Sequence, residues 1–289
     1  MEVKLKAPAK INLSLDVLGK RPDGYHELST VMQTVDLFDE ITLTQNDSQS
    51  VTVSCDREGV PCDDRNICAK AAYRFFEHCR LPVSGVHIDI KKAIPTQAGL
   101  AGGSADGAAV IVGLNFMFDA KLTPAELSAI GAKVGADVPF CIEGGTRLCT
   151  GIGEKMRRLP AFHGVWLVIC KPDTVSVSTA EAYQKVDALA KHPCYTDEMV
   201  KALYSRDLFM ITSTIFNDFE LALQIPEVNH IKKQMLDSKA SGAGMSGSGS
   251  AVFGVFTSER RAQKCFDLLK AAFPETFLCQ PVKEGCAIV

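Results

Sequence analysis

Residues 95–114, PTQAGLAGGSADGAAVIVGL, decide how the rest of the chain is read. Gly99, Gly102, Gly103 and Gly107 surround Ser104 where a strand and turn give way to a helix, expected over about 104–118. Such glycines let backbone N–H groups converge on an anion, and the helix start adds its partial positive charge. No Gly-Lys-Ser/Thr follows, so this is not a Walker A loop, and the spacing Gly-x-Gly-x-x-Gly is absent from this stretch as well. A tight turn against a packed helix is the alternative. Lys91 and Lys92 precede the loop and can neutralise phosphate charge. Asp106 either complements the helix dipole or faces a magnesium ion shared with phosphates. A second glycine-rich segment, SGAGMSGSGSAVFG (241–254), lies between a helix and a strand. Two such segments point to one polyanionic ligand clamped from two lobes.

Working outward, residues 4–19 alternate as a strand pair with a break at Pro8, and Pro22-Asp23-Gly24 signals a turn. Further strands are expected over 26–35, 40–44, 51–54 and 85–91. A helix over 64–79 takes Asp63 or Asp64 as its cap. Thr123-Pro124-Ala125-Glu126 is a capping box opening a helix to about 134. Beyond about 155 the pattern is an apolar strand (165–170), helices over about 179–190, 196–204 and 227–239, then strand (251–256), helix (259–272) and strand (276–282). This reads as α+β in two lobes, 1–158 and 159–289, with the boundary near 155–163.

The 289 residues are 46% hydrophobic and 22% charged, enough for a sizeable core. A net charge of −3 weighs against a nucleic-acid partner, and no apolar run suggests a membrane span. The N-terminus shows no signal-peptide pattern, so a cytoplasmic location is expected. Eleven scattered cysteines without a Cys-x-x-Cys pair argue against a disulfide framework, and six isolated histidines against a metal site.

APAKINLSLDVLGKRPDGYHEL at the N-terminus, the Pro95 loop and SGAGMSGSGS together resemble the GHMP kinase superfamily in order and spacing. Gly-Tyr-His at 24–26, GADVPF (135–140) and TGIGEK (150–155) narrow the resemblance. They match the branch acting on a cytidine-diphosphate methylerythritol in the non-mevalonate route to isoprenoids. It implies a ribosomal-protein-S5-like N-terminal lobe, a ferredoxin-like C-terminal lobe, and transfer of the γ-phosphate of magnesium ATP to the substrate 2-hydroxyl between them. By the same resemblance Lys10 and Asp137 are the catalytic pair. Pro95, Thr96, Gln97, Ala98, Gly99, Leu100, Ala101, Gly102, Gly103, Ser104 and Ala105 form the phosphate segment, with Lys92 just before it. Asn66 and Ile67 border the adenine; Asn12 lies near the substrate; Tyr25 and His26 recognise the cytidine, with Tyr183 as a stacking ring. No residue is assigned to a metal, and a monomer or weak homodimer is expected. Where the family has glycine this chain has Ala101, which favours an ordinary backbone region over positive φ. Gly107, in the first helical turn, replaces a common alanine. Another superfamily kinase, of homoserine or mevalonate type, and a decayed nucleotide-binding regulator are the alternatives; Tyr25-His26 argue against the first, intact Lys10 and Asp137 against the second.

Overall fold

The alternation at the N-terminus becomes, in the computed structural model, one 19-residue strand, β1 (Glu2–Lys20), rather than a pair broken at Pro8. It runs antiparallel to β2 (His26–Asn46), which merges the two strands expected there. Register shifts between Pro8 and Lys10, and again between Asn12 and Ser14, show how the proline is absorbed. A bulge tolerates a residue that cannot donate to the ladder. Along β1 the odd residues Ala9, Ile11, Leu13 and Leu15 enter apolar cores, and the even residues Lys10, Asn12, Ser14 and Asp16 are polar yet also buried. The structure describes residues 1–173, 175, 178–190 and 192–289.

β3 (Val51–Cys55) and β4 (Gly85–Lys91) extend this sheet on one side of β2, and β5 (Thr146–Gly151) with β6 (Lys155–Arg158) joins it further along β2. Four helices accompany it: α1 (Ile67–Cys79), α2 (Gly102–Met117), α3 (Pro124–Ala132) and α4 (Val138–Glu143). Leu5, Leu43 and Ile88 from the strands share one core with Phe75, Phe76, Val110 and Leu114 from α1 and α2. The capping box at Thr123 and Glu126 forms as expected. The start of α1 differs: Asn66 Oδ1 accepts from Cys68 N at 2.8 Å, so Asn66 is the cap and not Asp63 or Asp64.

The rest of the chain runs β7 (Trp166–Cys170), α5 (Thr179–Val186), α6 (Tyr195–Ser205), α7 (Leu208–Ser213), β8 (Phe216–Asn217), α8 (Asp218–Leu223), α9 (Pro226–Asp237), β9 (Gly242–Met245), β10 (Val252–Phe256), α10 (Glu259–Ala272), β11 (Thr276–Cys279) and β12 (Ala287–Ile288). The second sheet has the order β11-β7-β10-β9, all antiparallel. With α9 before β9 and α10 before β11, this is the ferredoxin-like arrangement. Helix α5 is shorter than expected, and α7 and α8 are additions to the sequence reading. The halves interlock. β8 pairs parallel to β1 at Ser14 and Leu15, and β12 pairs antiparallel to β1 at Leu5 and Lys6. A core between the sheets joins Ile11 and Val31 to Ile94, Leu100, Leu167, Ile169 and Phe253. It fixes the loop after β4 against both halves.

Candidate active site

The loop after β4 is built by hydrogen bonds to buried side chains. Asp39 Oδ1, from β2, accepts from Ala93 N (2.7 Å) and Ile94 N (2.8 Å), fixing the exit from the strand. Leu100 O then accepts from Lys10 N, and Ala98 O from Ala251 N, both at 3.1 Å. Held at these points, the loop puts Ala101 at φ 57°, ψ 28°, in the left-handed region. The expectation of an ordinary backbone there is wrong: the tethers outweigh a steric cost of roughly 1–2 kcal/mol. Helix α2 starts at Gly102, two residues early, so Gly107 lies beyond the first turn. A Cβ on Gly107 would meet Ile67 Cγ1 at 3.3 Å; its smallness serves the approach of α1. At Gly99, with φ +74°, a Cβ would lie 2.0 Å from Ser246 O. That is where the two glycine-rich segments touch.

Lys10 sits beneath this contact. Its Nζ donates to Asn12 Oδ1 (2.6 Å) and Gly99 O (2.9 Å), and lies 4.0 Å from Asp137 Oδ2. The Lys10 side chain is 4% exposed and that of Asp137 31%, so the carboxylate is the accessible member. Asp137 occupies the cap position of α4 but its side chain makes no capping bond, so its carboxylate is not spent on the helix end. Asn12 Nδ2 donates to Thr30 Oγ1 at 2.8 Å, and Ser246 Oγ donates to Gly99 O at 2.9 Å. Lys10 and Asn12 thus bind each other, Thr30 of β2 and Ser246 of the second glycine segment, as burial requires of polar groups.

Beside the loop, Lys92 Nζ lies between two buried carboxylates, bonding Asp39 and, at 2.7 Å, Asp106 Oδ2. A Cβ on Gly102 would meet Lys92 Nζ at 3.2 Å, which places the ammonium under the start of α2. Burial opposes the charge on Lys92, yet the two carboxylates hold its pKa above the usual value. Burial, with Asp39 adding repulsion, pushes Asp106 up to about 8 against the pull of Lys92. Lys92 therefore enters the site with its charge already matched, and Asp106 bonds to Lys92 where the sequence suggested a helix-dipole or magnesium role.

These residues surround a cleft of about 660 Å³. Its lining includes Lys10, Asn12, Asn66, Ile67, Lys92, the whole run from Pro95 to Ser104, Asp137 and Tyr183. Ala105 is the exception: it is fully buried, with its carbonyl accepting from Cys286 Sγ. Asn66 lines the cleft while its amide is engaged at Cys68 N and Pro61 O, so it holds the rim in place. A neighbouring pocket of about 430 Å³ contains Lys20, Tyr25, His26, Gln184 and Asp187, and shares Ala136, Ile152 and Tyr183 with the cleft. Here His26 stacks on Tyr183, centroids 4.3 Å apart and planes 14° apart, and its Nε2 lies 2.9 Å from Asp187 Oδ1. Tyr25 is 60% exposed. Tyr25 and Tyr183 line one pocket, but the partner ring on Tyr183 is His26. Burial, then the charge of Asp137, raises Tyr183 to about 12. Sequence reasoning missed Asp39, Thr30 and Ser246, and assigned no individual residue in 246–249, though that glycine-rich segment was its signal. The trio Asp16, His192 and Asp218 is near enough for a shared ion, but Asp16 accepts from the N–H groups of Tyr195 and Thr196, and Asp218 from Val17 N.

A cleft floored by a lysine–aspartate pair and roofed by two glycine segments defines a small-molecule kinase of the GHMP type. Residues 66–145 match the GHMP kinases N terminal domain and residues 199–275 the GHMP kinases C terminal model. The 4-diphosphocytidyl-2-C-methyl-D-erythritol kinase of Alkaliphilus metalliredigens is 44% identical over 283 residues, 96% of each chain. That of Bacillus pumilus is 41% identical, covering all of both chains. A crystal structure of 4-(cytidine 5'-diphospho)-2C-methyl-D-erythritol kinase matches 97% of this chain and 99% of its own, at 29% identity and a TM-score of 0.79. Homoserine kinase from Cytophaga hutchinsonii shares the fold, at 23% identity and a TM-score of 0.81 over all of this chain and 97% of that one. The chain belongs to the 4-diphosphocytidyl-2-C-methyl-D-erythritol kinases.

Proposed function

We propose that this enzyme moves the γ-phosphoryl group of ATP to the 2-hydroxyl of 4-diphosphocytidyl-2-C-methyl-D-erythritol, with Asp137 and Lys10 as the reacting pair. The observation that carries the reading is the Lys10–Asp137 approach of 4.0 Å in the cleft, with the cytidine pocket opening next to Asp137 at Ala136. Asp137 takes the hydroxyl proton as the substrate oxygen bonds to the γ-phosphorus. The bond from that phosphorus to the bridging oxygen breaks, and ADP leaves. Lys10 has three N–H donors, two of them spent on Asn12 and Gly99; its charge faces Asp137 and offsets charge gathering on the moving phosphoryl. Such transfer is mostly positioning and electrostatics, which a rigid pair beside a backbone cradle supplies.

Among the carboxylates lining the cleft, Asp106 is bonded to Lys92 and buried, which leaves Asp137 alone. One carboxylate, itself facing Lys10, is too few for an all-protein magnesium site, so the ion fits as a companion of the nucleotide, held mainly by its phosphates. His26, Tyr25 and Tyr183 take the cytidine, and Asn66 and Ile67 lie on the adenine side. The same reading has the enzyme acting on small molecules alone, in the cytoplasm, as a monomer or weak homodimer. An ADP-release assay with the cytidine diphosphate substrate, homoserine and mevalonate tests it. Turnover of only the first is expected; a preference for either of the others would overturn the substrate.

A further inference from the structure

Asp39 and Asp106 share one ammonium but not the same company. Asp39 accepts from three donors: Ala93 N, Ile94 N and Lys92 Nζ. Asp106 accepts from Lys92 alone, through Oδ2 at 2.7 Å. Its Oδ1 is buried with no partner among the described residues. Fully ionised, the trio would hold one uncompensated negative charge beside the loop read here as the phosphate segment. Other ionisable groups facing Asp106 are Cys68 from α1, Cys141 from α4 and Cys286 from the C-terminal tail. Burial pushes all three thiols well above their usual range, so they are neutral and cannot balance it. The balance left is a proton, and it belongs on the carboxyl with fewer donors.

We propose that Asp106 is a neutral carboxylic acid in the nucleotide-binding enzyme, and that this neutrality is a working part of the phosphate site. The proposal rests on placing the phosphates at residues 95–105. Burial raising Asp106 to about 8 agrees with it. Ionising Asp106 would set a bare carboxylate against the phosphates. Nucleotide affinity is therefore full below that range and falls as pH rises through it, where binding must draw in a proton.

The experiment is calorimetric titration of the enzyme with magnesium ADP from about pH 7 to about pH 9.5, in buffers of different ionisation heat. The wild type is expected to lose about tenfold in affinity across this span, the size of one screened charge at short range, and to take up a proton on binding at the alkaline end. Asp106→Asn, similar in shape but unable to ionise, should abolish the pH slope and bind about tenfold tighter than the wild type at the alkaline end. Infrared difference spectra should show a protonated-carboxyl carbonyl band in the wild type that Asp106→Asn removes. A flat wild-type profile without that band overturns the proposal. So does an Asp106→Asn enzyme that binds more weakly at every pH, which would mean the carboxylate itself is needed. Unchanged affinity in Gly103→Val would overturn the phosphate segment instead, a failure that leaves the infrared band in place.

Discussion

Asp137 is accessible and adjacent to a buried ammonium, so one carboxylate both faces a fixed positive charge and reaches a substrate. Asp137→Asn should lower kcat by about 10²–10⁴-fold with little change in nucleotide affinity. Steady-state kinetics beside ADP titration check this, and wild-type turnover would remove Asp137 from the mechanism. Lys10→Ala should cost a similar factor, and the double variant little more than either single one, because groups acting as a unit give non-additive losses. Fully multiplicative losses would mean that the two act apart. At Asp106 the sign of the pH effect on stability follows from a pKa raised in the fold from 3.8 to about 8. Stability from the protonated form is complete below about pH 4 and drains away as pH climbs to about 8. The melting temperature of Asp106→Asn should gain on the wild type across that window and level off above it. That Lys10, Asn12 and Asp137 share one cleft was legible because short motifs carry them. Asp39 was not: it sits 53 residues before Lys92, and nothing local marks a strand aspartate as the anchor of a distant loop.

Elements were legible where local chemistry sets their ends. The capping box at Thr123 and the span of α10 match the sequence reading, while the cap of α1 shifted to Asn66 because its amide also reaches Pro61 O. Long β1 and β2 were cut short because bulges interrupt alternation without ending a strand. The end of the loop and the first turn of α2 offer two substitutions of opposite sign. Ala101→Gly relieves the left-handed strain but adds freedom to the unfolded chain, for a net gain of about 0.5–1 kcal/mol in a thermal or denaturant melt. No gain would show that Ala101 is held without strain. Gly103→Val acts differently. Gly103 is helical, not at positive φ, and a Cβ there meets only Ile67 Cγ2 at 3.7 Å. The fold should tolerate the branch while ATP binding weakens, as calorimetry alongside a melt would report.

At the scale of the whole molecule the sequence gives two lobes but not their interlocking, since β8 and β12 are strands of two residues whose partners lie in β1. Tail and sheet meet under the site: Cys286 N donates to Cys141 O in α4 at 2.9 Å, and Val282 N to Thr34 O at 2.9 Å. Specificity belongs to this scale, because the pocket proposed for the cytidine draws Tyr25 and His26 from the first hairpin and Tyr183 from α5. Tyr183 is braced edge-on by Phe219, centroids 4.9 Å apart, and in turn supports His26 face to face. Tyr183→Ala therefore removes a stacking surface and loosens His26, whereas Tyr25→Ala removes an exposed ring alone. Stacking on a base is worth roughly 1–3 kcal/mol, so kcat/KM for the cytidine substrate should fall about ten- to a hundredfold for Tyr183→Ala and by less for Tyr25→Ala. Most of the loss should appear in KM, because a base held in this pocket would be away from the reacting hydroxyl and bound equally well before and during transfer. A substrate lacking the cytidine should be poor for the wild type and lose little more in the variants. Equal losses on substrates with and without the base would make these rings packing groups and move the cytidine elsewhere in the cleft.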